Sequence, residues 1–243
     1  MSRVLLALFL VLTVLAVAVV RAPAAWIGDA LASRSKLRLV DARGTVWSGS
    51  ALLGISNGRE TTLIPGRLAW RVTSLRAGRL WAALSHDWLA APLQVGLGVQ
   101  NLAFAAGTAR LPAAALTAAG APFNTLRPGG VLELRWTDTE VTSRAALTGE
   151  LQVDWRDAQS ALSLVVPLGT YRLRVAGRGG PSSLELQTLA GPLQLSGKGT
   201  IEGSHVRFSG IAAAEREMQP ALNGLLGLLG MRSGDKVLLA IDT

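Results

Sequence analysis

The chain has 243 residues, no cysteine and a formal net charge of +8, almost all of it from arginine. Without cysteine it has no disulfide and no thiolate zinc site. The arginines are dispersed, and one Tyr with four Phe offers few rings for base stacking, so we expect no nucleic-acid partner. Anionic lipid headgroups match this charge better. The length allows one large all-β domain or two small ones.

The first predicted element is an apolar segment of 17 residues, Val4 to Val20, interrupted only by Thr13 and flanked by Arg3 and Arg21. A bilayer span takes about 17–25 residues, and the apolar core of a signal peptide about 7–15. We therefore expect an uncleaved transmembrane anchor over residues 1–21, with residues 1–3 as a cytoplasmic head. The residues expected to form this anchor are Val4, Leu5, Leu6, Leu8, Phe9, Leu10, Val11, Leu12, Val14, Leu15, Val17, Val19 and Val20.

Two features of the sequence disagree on which side of the membrane the rest of the chain lies. Arg21, Arg34, Lys36 and Arg38 follow the apolar segment, whereas only Arg3 and the terminal amine precede it. By the positive-inside rule, this count favours a cytoplasmic body. The N-terminal position of the segment and its short head favour export of everything behind it.

Residues 22–36 form a predicted juxtamembrane segment, with a short amphipathic helix over Trp26 to Ser35, and a β-rich domain is expected over 37–243. Alternating apolar residues between Gly, Pro, Asn and Asp predict its strands. Those of the first half are expected from Leu37, after the turn at Gly44–Gly49, and at Leu68–Val72, Leu80–Leu84 and Leu93–Leu102. Pro112 and Gly120 bound a predicted helix at Ala113–Ala119.

The second half repeats this pattern. Strands are expected at Val131–Trp136, Ala145–Trp155, Ala161–Val166, Tyr171–Val175, Ser183–Leu189, Leu193–Gly199 and His205–Ile211. A helix is predicted over Glu215–Leu229, because its leucines recur at helical spacing, and Val237–Ile241 is expected to close the chain as a strand.

Two stretches, Gly130–Trp136 and Gly149–Trp155, share the pattern Gly-x-Leu-x-(Leu/Val)-x-Trp, and Trp70 ends a shorter version of it. Side chains alternate across a strand, so the leucines and tryptophans are expected on one face and the charged residues on the other. The predicted fold is mainly β: an N-terminal transmembrane helix, then an antiparallel, curved or sandwich-like sheet with one or two short helices. The repeated patterns hint at two similar halves, 37–125 and 126–243.

The inventory of reactive side chains does not assemble into an active site. His86 and His205 are far apart, and the acids are scattered singly along predicted solvent faces. His86 and Asp87 could form a base and its orienting group, but no Gly-x-Ser-x-Gly motif supplies a nucleophile. Ser196–Thr200 lacks the glycine and the Ser/Thr placement of a phosphate-binding loop. We expect no enzyme, and no catalytic, cofactor-binding or metal-binding residues.

A series of landmarks resembles the type II secretion system protein N (general secretion pathway protein N) family over essentially the whole chain. After the apolar segment, the matching stretches are Gly44–Gly49, Gly149–Trp155, Pro167–Tyr171, Gly191–Leu193, Ser196–Gly197, Arg207–Gly210 and Leu222–Gly230. The structural-motif residues singled out in the chain are Gly44, Trp47, Gly49, Trp70, Gly130, Trp136, Gly149, Trp155, Gly169, Gly191, Gly197, Phe208 and Gly210.

The resemblance implies a single-pass protein of the bacterial inner membrane with its body in the periplasm. It implies a non-enzymatic accessory role in export of folded proteins from the periplasm across the outer membrane. It carries over no catalytic residue and no cofactor, and it implies other components of the secretion system as partners. Unpaired sheet edges would then be candidate docking sites, since an edge can take a strand from another chain.

Two alternatives remain open from the sequence. One is an envelope lipid-binding or lipid-transfer protein, because a sheet with one continuous apolar face would cradle acyl chains, and the pattern does not separate an open groove from a closed core. The other is an envelope hydrolase that uses His86 and Asp87.

Overall fold

The computed structural model describes residues 2–33, 35–56, 58, 60–120 and 123–242. Parts of the predicted segments that lie outside the described residues are Met1, Arg34, Thr243 and the side chains of Arg3, Val4 and Val11. The helices are α1 (Ser2–Val20), α2 (Ala25–Ala32), α3 (Phe123–Leu126) and α4 (Gln219–Leu229), with 3-10 helices at Ala113–Ala119 and Arg216–Met218.

Strands make up most of the remaining chain, as predicted. Within the described residues they are β1 (Leu37–Gly44), β2 (Ser48–Ser56), β3 (Thr61–Arg76), β4 (Arg79–Ser85), β5 (Leu93–Leu97), β6 (Asn101–Phe104), β7 (Gly107–Pro112), β8 (Pro128–Trp136), β9 (Thr139–Thr142), β10 (Leu147–Ser160), β11 (Gly169–Arg178), β12 (Ser182–Ala190), β13 (Leu193–Glu202), β14 (His205–Ala214), β15 (Met231–Ser233) and β16 (Lys236–Asp242).

The helix α1 covers the predicted anchor. Its described leucine, valine and phenylalanine side chains are exposed, from 55% at Leu8 and Val19 to 71% at Phe9. Over the residues that the structure describes, none of the helices combines the length and the hydropathy that a membrane span requires.

The strands form one antiparallel sheet in the order β1-β2-β3-β4-β5-β6-β9-β10-β11-β12-β13-β14-β16-β15, counted over the described residues. The sheet branches at β10. One edge of this strand pairs with β11, and its other edge pairs first with β9 and then with β8, which in turn pairs with β7. One continuous sheet therefore runs through both predicted halves.

The register confirms the predicted division of side chains between two faces. Trp155 lies opposite Leu132 on β8 and opposite Tyr171 on β11, all on what we call the apolar face. One residue earlier, Asp154 lies opposite Glu133 and Arg172 on what we call the polar face. The same alternation continues along β12 and β13, as expected from the pleat, whereas on β14 and β16 the apolar residues Ile211 and Leu238 lie on the polar face.

Several predicted elements differ from the structure. Ala161–Val166 was predicted as a strand, which is wrong: these residues form turns and bends between β10 and β11. There the Ser163 hydroxyl accepts a hydrogen bond from the Val165 N–H at 3.0 Å, a local bond that replaces strand pairing. The predicted strand Leu93–Leu102 is two strands, β5 and β6, joined by a turn. Short strands β7, β9 and β15 were not predicted.

The sheet is curved. The main-chain oxygen of Arg144, in the β9–β10 turn, lies 3.8 Å from the point where a Cβ on Gly203 would stand, in the β13–β14 turn. Three strand spacings of about 4.8 Å would hold these hairpins about 14 Å apart in a flat sheet. The contact therefore shows that the second half of the sheet bends across its strands.

Two apolar clusters pack on the sheet. Near the C terminus, Leu222, Leu225 and Leu226 of α4 lie against strands β11, β13, β14 and β16, where Tyr171 and Val237 are buried with them. Near the N terminus, Ala24 and Ile27 pack on Ala51, Trp70 and Leu39 of β1, β2 and β3. The 3-10 helix 113–119 contacts β2, β3 and β8. Between these covers, much of the apolar face stays only half-buried.

Candidate functional site

The two ends of the strand order differ in how they protect their main-chain groups. Within the described residues, β1 is the outer strand at one end. Its register with β2 shifts between Val40 and Arg43, and Asp41 takes a positive φ of 51° there. A bulge of this kind interrupts the row of hydrogen-bonding groups that another strand would need. The β1 edge is therefore a poor site for strand addition.

Charged groups also cover the β1 bulge. The Asp41 carboxylate pairs with Arg67 at 2.9 Å and with Arg43 at 3.0 Å. Hydrogen bonds hold the pKa of the Asp41 carboxyl below its usual range, and the bond from Arg67 has a larger effect than the bond from Arg43. The paired charges add to the protection that the bulge gives this edge.

At the opposite end of the strand order, part of β16 has no neighbouring strand on its outer side within the described residues. The short strand β15 pairs with β16 only from Lys236 to Leu238. Beyond it, within the described part of the chain, residues 239–242 pair with β14 on one side alone. Apolar side chains accompany this edge: Leu238 is 49% exposed, Ile241 51% and Met231 79%. This is the edge of the sheet that fits an incoming strand.

An ion-pair group lies on the polar face, where sequence reasoning expected only solvent-exposed charges. Arg172 binds both carboxylate oxygens of Asp154, each at 2.7 Å, and Gln152 donates to the same carboxylate at 3.2 Å. Asp154 is only 1% exposed, so the expectation of a solvent-exposed charge is wrong for this residue. Neighbouring long side chains exclude water from the Asp154 carboxylate. The spacing of charged residues along the sequence does not indicate this burial.

The hydrogen bonds from Arg172 keep the pKa of the Asp154 carboxyl below its ordinary value, although burial acts in the opposite direction. Beside this pair, Glu133 binds Arg156 at 2.7 Å and lies 3.7 Å from Arg135. Bidentate Arg–carboxylate pairing is directional and holds adjacent strands in register. We assign these groups to the stability of the sheet, because the acids are neutralised by arginines on the same face.

Three aromatic side chains among the predicted motif residues lie across glycines of neighbouring strands. If Gly49 carried a Cβ, it would meet the Trp70 ring at 2.7 Å, and one on Gly197 would meet Phe208 at 2.3 Å. Trp136 covers Gly107 in the same way at 2.6 Å. Gly107 lies outside the repeated Gly-x-Leu-x-(Leu/Val)-x-Trp pattern, 29 positions before its tryptophan. Aromatic covering of strand glycines fills the space that a missing side chain leaves.

The motif tryptophans also satisfy their indole N–H groups on main-chain oxygens. The donors and acceptors are Trp47 to Val19 at 2.8 Å, Trp70 to Thr45 and Val46 at 3.2 Å, Trp136 to Ala105 at 2.8 Å and Trp155 to Gly129 at 2.8 Å. Each bond joins separate segments of the chain. These hydrogen bonds therefore hold separate parts of the fold together, and among the four rings Trp47 is the one that joins α1 to the sheet.

The remaining motif glycines lie at strand ends, bulges and close approaches. Gly130 has a φ of 91°, and a Cβ there would stand 2.4 Å from the main-chain oxygens of Arg156 and Asp157, so only glycine fits. Gly44, Gly149, Gly169 and Gly191 also have positive φ, and Gly210 pairs with Gly197 in β13–β14. Gly44 lines a surface hollow of about 550 Å³ and Gly210 one of about 560 Å³.

The Pro167–Tyr171 stretch is part of the C-terminal core. Tyr171 is 3% exposed, and its hydroxyl is 3.0 Å from the main-chain oxygens of both Leu168 and Leu193. Burial raises the pKa of this phenol far above its ordinary value. The hydroxyl therefore stays protonated and joins β11 to β13.

Among the described residues, no hydrogen bond joins His86 to Asp87, although both side chains lie near Gly66. The His86 Nδ1 accepts the Trp88 main-chain N–H at 3.2 Å, and its ring packs edge-on against the Trp88 indole. Its other nitrogen points at Gly66, 2.7 Å from where a Cβ would stand. A hollow of about 440 Å³ beside Asp87 does not include His86 among its lining residues. Across the described segments, no group of three His, Asp or Glu residues is placed to hold a metal ion.

Comparison with known proteins gave one finding. The family described as Type II secretion system (T2SS), protein N matches residues 35–238, which include strands β1 to β15 and the first three residues of β16. Neither the curated proteins nor the solved structures gave a match. Because the match covers most of the sequence, the chain belongs to the type II secretion system protein N family, and membership implies an accessory role in type II secretion, interaction with other components of that system and association with the cell envelope.

Proposed function

We propose that the protein is a non-enzymatic tether of the type II secretion system, which takes part in export of folded proteins from the periplasm across the outer membrane. The family match over residues 35–238 carries this proposal. In it, α1 holds the chain in the inner membrane as a single-pass anchor, and the sheet lies in the periplasm, where its open edge contacts other secretion components.

The exposed apolar surface of α1 supports the anchor. At 1.5 Å per residue, the 17 residues from Val4 to Val20 extend about 26 Å, slightly less than the hydrocarbon core of about 30 Å. Arginines at both ends can reach the headgroups with their long side chains, which accommodates a short span. No other part of the described chain exposes so continuous an apolar surface.

The open part of β16 supports a docking edge. Main-chain groups of residues 239–242 face outward without a strand beside them in the described part of the chain, and Leu238 and Ile241 add apolar contacts. Strand addition draws its affinity from such main-chain groups and its specificity from the alternating side chains. At the β1 edge, a bulge between Val40 and Arg43 interrupts the row of main-chain groups, and ion pairs surround Asp41.

Deletion of the gene in a bacterium that carries the secretion system tests the proposed function. We expect less of a folded exported enzyme in the medium and more in the periplasm, with restoration by the wild-type gene on a plasmid. The control is a periplasmic enzyme that is not exported, whose distribution should stay the same. Unchanged export in the deletion strain would contradict the proposal.

A second candidate function is lipid binding on the apolar face, with this protein as an envelope lipid-binding or lipid-transfer component. The observation that favours it is that Leu134, Leu151, Leu173 and Leu184, near the middle of the curved sheet, stay half-buried. A closed core would exclude water from them. Mass spectrometry of the purified chain tests it: stoichiometric phospholipid supports lipid binding, and lipid-free protein contradicts it.

A further inference from the structure

We propose that one rim of the sheet, formed by the β3–β4, β5–β6, β9–β10 and β11–β12 turns, rests on the anionic surface of the inner membrane. We call it the anchor-side rim, and its key residues are Leu75, Arg76, Val99, Arg144 and Arg178. The inference goes beyond tethering by α1 and rests on that part of the proposed function, because α1 brings the rim to the membrane.

The first observation is where α1 joins the sheet. The Trp47 indole N–H donates to the Val19 main-chain oxygen at 2.8 Å, and the Val46 N–H donates to Ala22 at 2.9 Å. Pro23 also forms a bridge with Thr45. The C-terminal end of α1 is therefore fixed to the β1–β2 turn.

The register places the four turns at this same end of the sheet. Gly49, beside the β1–β2 turn, pairs with Trp70, and β3 then continues past it to the β3–β4 turn. From there the register runs across the sheet through Leu80, Leu97, Leu102, Val141 and Leu147 to the start of the β11–β12 turn, as Thr148 pairs with Arg178. The rim is thus one continuous border of the sheet.

Apolar side chains project from this rim into solvent. Leu75 is 72% exposed and Val99 97%, the latter at the tip of the β5–β6 turn. Leu97 and Leu102, just behind that tip on the apolar face, are 44% and 40% exposed. Large aliphatic side chains at turn tips, side by side along a border, are typical of surfaces that insert shallowly among lipid headgroups.

The same rim carries unneutralised positive charge. Arg76, Arg144 and Arg178 are exposed, and within the described part of the chain none of them forms an ion pair. Arg79 is different, because Glu140 neutralises it at 2.7 Å. Two exposed acids also lie on this border. Glu202 on β13 precedes Gly203, which the curvature of the sheet brings close to the main chain of Arg144, and Asp242 on β16 pairs with Arg207 at 3.9 Å.

Exposed aliphatic tips and free guanidinium groups together match an anionic bilayer surface. Arginines near anionic headgroups gain electrostatic energy, and the aliphatic groups leave water. An acidic protein surface would match the charge, but α1 fixes this border next to lipid. We therefore assign the rim to the membrane and make a protein partner one outcome of the test.

The absence of cysteine allows a direct experiment on the full-length chain. Single variants Leu12→Cys in α1, Val99→Cys at the rim and Ala91→Cys at the opposite end of the sheet are labelled with an environment-sensitive fluorophore. Each is reconstituted in phosphatidylcholine vesicles with or without phosphatidylglycerol, and quenching by spin-labelled lipid is measured. A combined variant Arg76→Gln, Arg144→Gln, Arg178→Gln is made in the Val99→Cys background.

We expect quenching at Leu12→Cys in both vesicle types, no quenching at Ala91→Cys, and quenching at Val99→Cys that requires phosphatidylglycerol. The triple arginine variant should reduce the Val99→Cys signal to the level of Ala91→Cys. Quenched Leu12→Cys with unquenched Val99→Cys would overturn the rim proposal and leave the anchor standing. Unquenched Leu12→Cys would contradict the anchor itself. A second measurement compares the shielding of the Val99→Cys label in cells with and without the other secretion genes. Shielding only in cells that express these genes would assign the rim to a protein partner and overturn the membrane assignment.

Discussion

The indole of Trp136 lies across Gly107 on the adjacent strand, with its Cζ2 atom 2.6 Å from the point where a Cβ on Gly107 would stand. The two residues are direct partners in the β7–β8 register. The ring also donates to Ala105 at 2.8 Å, so it is fixed in that position. The absent side chain of Gly107 therefore makes room for the tryptophan at the branch of the sheet.

Gly107→Ala should destabilise the protein, because the added methyl group overlaps a ring that a hydrogen bond holds in place. We expect a loss of about 1–3 kcal/mol in the free energy of unfolding, the usual cost of overpacking. Urea unfolding followed by tryptophan fluorescence measures it. Gly180→Ala is the matched control, since no atom lies within 4 Å of its Cβ position. Equal stability of the two variants would contradict the role assigned to the pair.

Asp154→Asn should lower stability at neutral pH and make it less sensitive to acid. Removal of the Asp154 charge leaves Arg172 without its partner. Because the Arg172 side chain is 24% exposed, we expect the free energy of unfolding to fall by about 2–3 kcal/mol, less than for a fully buried pair. The native pKa of Asp154 is lowered, so the pair's contribution is complete above the unfolded pKa of 3.8 and is lost as the pH falls through the native pKa.

The difference between the wild-type and Asp154→Asn chains should therefore shrink below about pH 4, as measured by urea midpoints at a series of pH values. Glu185→Gln is the control, because its partner Lys198 is 83% exposed and the pair is 3.4 Å long. Exposed pairs contribute little, so this variant should change much less. A pH-independent difference for Asp154→Asn would show that the pair does not act through its charge.

Leu222→Ala should remove much of the contact between α4 and the sheet. Leu222 is 0% exposed in the C-terminal cluster, and truncation of such a residue costs about 2–5 kcal/mol. Leu228→Ala in the same helix is the control, because Leu228 is 68% exposed. Thermal unfolding of both variants checks this. A similar midpoint for the two would show that α4 does not contribute its buried stripe to the core.

Photo-cross-linking should distinguish the two sheet edges. A photoreactive amino acid at Ala240 in the open part of β16 should give a cross-linked product in secreting cells, and one at Val40 in β1 should not. The product should disappear when the genes for the other secretion components are deleted. Cross-linking from Val40 alone, or a product that persists in the deletion strain, would contradict docking at β16.

The period-two pattern predicted the arrangement of the faces because burial on one side of a sheet leaves a direct mark on the sequence. Leu132, Leu134 and Trp136 share a face with Trp155, as the repeated pattern indicates. The leucine stripe of α4 was visible for the same reason, since Leu222, Leu225 and Leu226 recur at helical spacing and all three are buried.

Other features depend on contacts between distant residues and left no local signal. The strand β7 has few apolar residues and forms because Trp136 and its neighbours on β8 pair with it. Asp154 resembles any other strand acid until the β10–β11 register places Arg172 opposite it. The apolar run Ala161–Val166 matches a strand pattern, but the Ser160 and Ser163 hydroxyls accept hydrogen bonds from the main-chain N–H groups of Leu162 and Val165, and the run forms a loop. The sequence does not show which edge of the sheet is protected from strand addition, because this depends on the bulge at Asp41, which composition does not reveal.

The claim that the sheet must be held at the inner membrane is tested most directly by secretion from a deletion strain that carries one of three genes. These encode the wild-type chain, the chain with residues 1–21 replaced by an unrelated single-span anchor, and the chain with residues 1–21 replaced by a cleavable signal peptide. We predict that the first two restore the exported enzyme to the medium and that the released periplasmic form does not, at equal protein levels. Full restoration by the released form would contradict tethering.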